Sequence, residues 1–187
     1  MEEMDSSDEE VPQFDWSYIF KQGFCPKDLV AKVDLEPTKL SGDWYLHRSN
    51  DYKYAAMPTS CFHSKVKVND DGTFLSKEEA NFMGKTWVAE KITGEIKKDT
   101  VRTDYFDEKL SVKMQVLDTD YDKYLITVSC LDNMSFALET ELEPVHSIVV
   151  SVFTHDPEED LELIKSLEKK VSEKIPNFNL IEFITIP

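Results

Sequence analysis

Between Gly42 and Thr154 the chain reads as a succession of short segments in which apolar and polar residues alternate, punctuated by glycine, asparagine and aspartate. A period of two marks extended strands with one buried face, because successive side chains point to opposite sides of a sheet. The clearest segment sets Phe62, Ser64, Val66 and Val68 against His63, Lys65 and Lys67. Asn69-Asp70-Asp71-Gly72 then predicts a hairpin turn, with Gly72 free to take positive φ. The chain returns over 73–78 with Phe74 and Ser76 inward and Glu78 beyond them on the same face. Segments at 87–97, 101–106 and 110–118 follow, the last with Leu110, Val112, Met114 and Val116 opposed to Ser111, Lys113 and Gln115. Adding 42–48, 62–68, 124–130 and 147–154 makes eight strands joined mostly by tight turns. The fold class is therefore all-β: an eight-stranded antiparallel up-and-down barrel with room for one small ligand.

The flanks differ from this core. Residues 1–15 carry Glu2, Glu3, Asp5, Asp8, Glu9, Glu10 and Asp15 without a base, and such a block is expected to be a disordered, solvated tail. Its Ser6-Ser7-Asp8-Glu9-Glu10 run also resembles a substrate for an acid-directed kinase. Residues 16–41 form an aromatic lead-in, with Trp16, Tyr18, Phe20 and Phe24, expected to pack across one end of the barrel that occupies 42–155. In 156–187, Asp156-Pro157-Glu158-Glu159 predicts a helix start. Leu161, Ile164, Leu167, Val171 and Ile175 then make one apolar stripe at helical spacing, and Pro176 ends it. This helix should lie outside the barrel, with 179–184 returning as an extra edge strand.

The chain has 187 residues, suited to one domain, and a net charge of −16 that repels phosphate backbones and anionic lipid surfaces. Nucleic acid is thus a poor partner. The acidic arm instead suits docking on a basic protein surface. No apolar run is long enough to span a bilayer, and no basic-then-apolar secretory signal is visible at the start. His47, His63, His146 and His155 are scattered, so no metal site is expected, and no nucleophile elbow, phosphate loop or carboxylate pair stands out. Three cysteines, Cys25, Cys61 and Cys130, allow one disulfide and one leftover thiol.

Three motifs stand in order: Phe24-Cys25-Pro26, Leu40-Ser41-Gly42-Asp43-Trp44-Tyr45 and Asp118-Thr119-Asp120-Tyr121-Asp122-Lys123-Tyr124. With them the chain resembles the lipocalins, nearest to the apolipoprotein D, insect bilin-binding and bacterial lipocalin group, over residues 22–175. The resemblance implies binding or transport of a small hydrophobic molecule (lipid, sterol, retinoid or pigment) in a barrel cup, with no cofactor beyond such a guest. Gly42, Trp44, Thr119, Asp120 and Tyr121 would be structural. Gly42 allows a sharp entry into the first strand, Trp44 fills the base, and Asp120 caps turn amides. The chain departs from the pattern at one point. His155 stands where these relatives place an arginine over the tryptophan, so the closed end is expected to rely on His155 stacking, on Arg48 or on the aromatic lead-in.

The resemblance also pairs Cys25 with Cys130 and leaves Cys61 as a free thiol or one that pairs between chains. Oxidation would indicate a secreted or organelle-lumen location, and the acceptor sequence at Asn133 agrees with a glycoprotein. Inward parity offers Leu46, Phe62, Ser64, Val66, Phe74, Ser76, Val88, Ile92, Val112, Met114, Val116 and Ile126 as ligand-lining residues, each equally readable as ordinary core. Tyr54, with Tyr52 and Met57, falls on the long loop that forms the lid in lipocalins, and Glu78 is placed either to orient a polar head or simply to lie at the wet rim. One lipocalin branch, the prostaglandin D synthase type, is a thiol-dependent isomerase. Cys61 lies near the corresponding strand position with His63 two residues away, but on the outward parity, so an enzyme is the lesser reading.

Overall fold

A computed structural model describes residues 20–26, 34–50, 59–132, 144–175 and 184–185. The acidic arm, Trp16, the lid positions Tyr52, Tyr54 and Met57, Asn133 and Pro176 lie outside the described residues. The strands are β1 (Phe20–Gln22), β2 (Gly42–Ser49), β3 (Thr59–Val68), β4 (Thr73–Phe82), β5 (Lys85–Lys97), β6 (Thr100–Tyr105), β7 (Leu110–Thr119), β8 (Tyr124–Asp132), β9 (Val145–Thr154) and β10 (Ile184–Thr185), with one helix, α1 (Leu161–Lys174). Strands β2 to β9 pair each with the next, all antiparallel, and β9 pairs back with β2 to close an eight-stranded barrel. The hairpin after β3 turns as its sequence requires, with Gly72 at φ +84° donating its N–H to the Asn69 carbonyl.

The two short strands attach at the closing seam. β1 runs along β9 with Phe20 opposite Ser147, and β10 runs along β2 with Ile184 opposite Ser49. Between them the Asn50 side chain spans β2 and β9. Its amide donates to the Ile148 carbonyl (2.7 Å) and its oxygen accepts from the Val150 N–H (2.6 Å). A side-chain amide carries the same donor and acceptor as a peptide, so Asn50 continues the ladder where the backbone pairing stops.

Helix α1 lies on the outside, against β7, β8 and β9. Leu167, Val171 and Ile175 pack on Tyr124, Ile126, Val128, Val150 and Val152, all buried. Its start differs from the sequence expectation. Asp160, not Asp156, is the N-cap and accepts from the Glu162 N–H, while Asp156-Pro157 forms a separate turn whose carboxylate accepts from the Glu158 N–H. Leu161 is consequently exposed and the buried stripe begins at Ile164. The Asx turn at Asp156 satisfies its own amides locally, and the helix begins only at the next capping aspartate.

Ion pairs fasten the helix. Arg48 Nε lies 2.8 Å from Glu168 Oε1, so this arginine serves the helix and not the closed end of the barrel. Lys170 Nζ lies 2.8 Å from Asp118 Oδ2 and donates to the Tyr124 hydroxyl. Hydrogen bonds to Asp118 and then Tyr124 push the Lys170 ammonium well above its ordinary value. Burial raises the Asp118 carboxyl, but the bond and charge of Lys170, aided by Lys174 and the Thr119 N–H, outweigh it and hold Asp118 below its ordinary 3.8. A depressed acid stabilises the fold fully above its unfolded value and loses that contribution as pH falls through the folded one. Asp118→Asn should therefore cost about 1 kcal/mol at pH 7, and the gap to the native protein should narrow below the ordinary 3.8. Urea unfolding at pH 7 and at lower pH checks this; a gap independent of pH would refute the ion-pair account.

Candidate ligand cavity

The barrel is closed at the end where β2 begins. A single 3₁₀ turn, Pro37–Leu40, delivers the chain into Gly42 at φ +138°. A side chain there would be strained and would also meet the ring of His155, whose Cε1 lies 2.9 Å from where a Cβ would sit. Two residues on, Trp44 is buried against Leu40, Val68, Phe74 and Ile96, and its Nε1–H donates to the Leu40 carbonyl (2.9 Å). His155 stacks on the Trp44 ring at 3.7 Å between centroids. Its Nδ1 lies 2.6 Å from the Asp43 carbonyl oxygen and its Nε2 3.0 Å from that of Tyr121. One ring thereby links β2, the β7–β8 turn and the end of β9. Both nitrogens face acceptors, an arrangement that an imidazolium serves with two donors and a neutral ring with one.

The β7–β8 turn completes this floor. Asp120 Oδ1 accepts from the N–H groups of Lys123 (2.8 Å) and Tyr124 (3.0 Å). Thr119 Oγ1 donates to the Tyr124 carbonyl and accepts from the Tyr121 N–H. Tyr121, at φ +65°, accepts from the Glu36 N–H through its hydroxyl, tying the lead-in to the turn.

Above the floor lies a cavity of about 230 Å³. β2 contributes Trp44 and Leu46, β3 Phe62, Ser64 and Val66, β4 Phe74, Ser76 and Glu78, and β7 Val112 and Met114. These positions were legible from parity. The remaining wall was not singled out by sequence: Ile96, Val101, Thr103 and Tyr105 from β5 and β6, Leu125, Thr127, Ser129 and Leu131 from β8, and Val149, Ser151 and Phe153 from β9, with Leu40 beneath. The Thr127-x-Ser129 and Thr103-x-Tyr105 pairs, small or polar residues at period two, were the available signal.

Four expected lining residues stand elsewhere. Ile126 faces outward into the layer under α1, because β8 is apolar on both sides and the helix claims the Tyr124–Ile126–Val128 face. Val88 is half-exposed and pairs with Glu79 on the outer face. An extra residue at Lys91, at φ +60°, shifts the phase of β5, so that inward parity passes from Ile92 to Ala89 and misses Val88. Ile92 and Val116 do lie on the inner face, opposite Ser76 and Thr127, but are buried without lining the cavity.

Most of the lining is apolar, with scattered hydroxyls. Glu78 is its exception. The carboxylate is buried, and the Tyr105 hydroxyl donates to Oε1 at 2.9 Å. Cys61, by contrast, is exposed and unbridged at a bulge in β3, with φ +53°, and does not line the cavity. His63 is engaged with Asp43 (2.8 Å) and stacked on Tyr45, so nothing in this placement supports the thiol-dependent alternative. Cys25 and Cys130 are bonded, with Cα atoms 5.8 Å apart, tying the segment after β1 to β8.

A family model described as lipocalin / cytosolic fatty-acid binding protein matches residues 41–186. Among solved structures, insecticyanin from the tobacco hornworm Manduca sexta is 16% identical, with 90% of this chain and 88% of that chain covered and a TM-score of 0.64. The cockroach allergen Per a 4 is 17% identical over 88% and 96% of the two chains, with a TM-score of 0.62. Lobster apocrustacyanin A1 is 16% identical over 79% and 77%, with a TM-score of 0.60. At these identities the likeness is one of fold. No curated protein matches the sequence significantly.

Proposed function

The chain belongs to the lipocalin / cytosolic fatty-acid binding protein family, and from that membership we propose that it binds and carries a small hydrophobic molecule inside the barrel. The observation that carries the reading is the cavity itself: a largely apolar lining above a floor sealed by Trp44 and His155. Its affinity comes from removing apolar surface from water, about 0.8 kcal/mol for each methylene fully buried. The volume of about 230 Å³ lies just below the range of drug-sized pockets, which favours a compact guest. The Cys25–Cys130 bridge supports an oxidising compartment, secreted or luminal, as the place where the carrier works.

Titration with the apolar fluorophore N-phenyl-1-naphthylamine tests the site. We expect saturable binding with one probe per chain and a blue-shifted emission. Met114→Trp fills the cavity from β7 and should weaken binding at least about tenfold while leaving the far-ultraviolet circular dichroism unchanged. Equal affinity in a folded Met114→Trp protein would place the site elsewhere.

A further inference from the structure

Resting on the carrier reading, we propose that the guest is a neutral diol, a compact apolar body with hydroxyl groups on different sides, met by a girdle of Ser76, Thr103 and Thr127. All three line the cavity, and their exposures are only 4%, 5% and 6%. Among the described residues none of the three hydroxyls has a hydrogen-bond partner. Their polar neighbours are engaged: Ser151, paired with Thr127 across β8 and β9, meets Ser49 at 3.2 Å, and Glu78 accepts from Tyr105. A buried hydroxyl left without a partner costs free energy. A guest that takes the place of solvent here must supply the bonds that solvent supplied.

The topology places the three at one height. β4, β6 and β8 all rise from the closed end, and Ser76, Thr103 and Thr127 are each the fourth residue of their strand. Two residues below them Phe74, Val101 and Leu125 all pack into the Trp44 cluster. Two strand residues span about 7 Å, so the hydroxyls ring the lumen one layer above the floor. In a closed ring of eight strands β4 and β8 stand opposite each other, with β6 midway between them. β2, the fourth strand rising from the floor, presents Leu46 there, so that side is apolar. Hydroxyls both donate and accept, and they offer no charge to balance an ionised head in apolar surroundings. A hydrocarbon would leave all three unpaired, and a guest with its oxygens on one side would satisfy one of them. Oxygens on different sides of the body reach two.

The isomers 1,4-benzenedimethanol and 1-phenylethane-1,2-diol share one formula and differ in whether the hydroxyls lie on opposite sides of the ring or together on one. Both are compared by displacement of N-phenyl-1-naphthylamine. The 1,4 isomer should bind at least about fivefold more tightly, the effect of one further hydrogen bond. In the triple variant Ser76→Ala, Thr103→Val and Thr127→Val the advantage should fall to within about twofold, with circular dichroism showing that the protein is folded. If that variant does not fold, the native ranking alone decides. An advantage below about fivefold in the native protein, or one that survives in the folded triple variant, overturns the diol proposal. So does binding of the fluorophore that neither diol displaces, and in each of these cases the carrier reading stands. Failure of the fluorophore and both diols to bind overturns both readings.

Discussion

Loss of the Cys25–Cys130 bridge should lower stability by about 4–5 kcal/mol, the figure the chain-entropy relation gives for a loop closed across 105 residues. Native domains are stable by only about 5–15 kcal/mol, so the double variant Cys25→Ser with Cys130→Ser is expected to unfold at a much lower urea concentration. Among the described residues, the first strand is otherwise held by three residue pairs of β1 on β9, the Gly23 N–H to Pro144 carbonyl bond (2.7 Å) and the His146 ring on the Gly23 carbonyl (2.8 Å). The loss should thus appear in two readouts, global unfolding and early exchange of the β1 amides. Thiol counting fixes the starting state, since denatured protein should show one reactive thiol, Cys61, before reduction and three after. Three thiols before reduction, or no stability difference between oxidised and double-serine protein, would contradict the account.

The second large effect is expected at the floor. Trp44→Ala removes a buried indole, its bond to the Leu40 carbonyl and the partner on which His155 stacks, and large aromatic truncations of this kind cost about 3–5 kcal/mol. Three companion variants separate packing from bridging. Gly42→Ala is strained by φ +138° and crowded by the His155 ring, and should cost about 1–3 kcal/mol. His155→Arg should be milder than His155→Ala, because a guanidinium also stacks on an indole and has donors for the Asp43 and Tyr121 carbonyls. Urea unfolding followed by circular dichroism ranks the four proteins. If His155→Arg proved as damaging as His155→Ala, the ring's two-carbonyl bridge would not be what holds the floor.

Most of the barrel was legible because alternation is a local property. β3 and β7 carry apolar or hydroxyl residues on one side and mostly charged or amide residues on the other, and β4 opens with Phe74 and Ser76 on one face, so Phe62, Phe74 and Val112 declared their direction without reference to any neighbour. β8 did not, because α1 covers its outer face and the barrel encloses its inner one; Ile126 and Leu125 are both apolar for different reasons. β5 failed differently: one inserted residue at Lys91 reverses parity, and nothing in Glu90-Lys91-Ile92 marks a bulge. The helix start was misplaced because two aspartates four residues apart can each cap, and only the packing of Ile164 and Leu167 selects Asp160. His155 was recognised as the substitute for an arginine by its position in the motif. Its grip on two carbonyls is a three-dimensional fact that spacing does not contain.

The short strands at the seam carry a consequence for shape. β8 occupies one edge of β9 along its whole length, so β1 must take the other edge, above the point where β2 leaves it. By the same logic β10 takes the β3 edge of β2, above the four residues that β3 pairs. The β9–β2 pairing closes a ring of eight strands, and β1 and β10 flank its seam, paired to β9 and β2 and not, among the described residues, to each other. Because the bore of a barrel follows the number of strands in the closed ring, shortening β1 or β10 should uncover an edge of the seam and leave the bore unchanged.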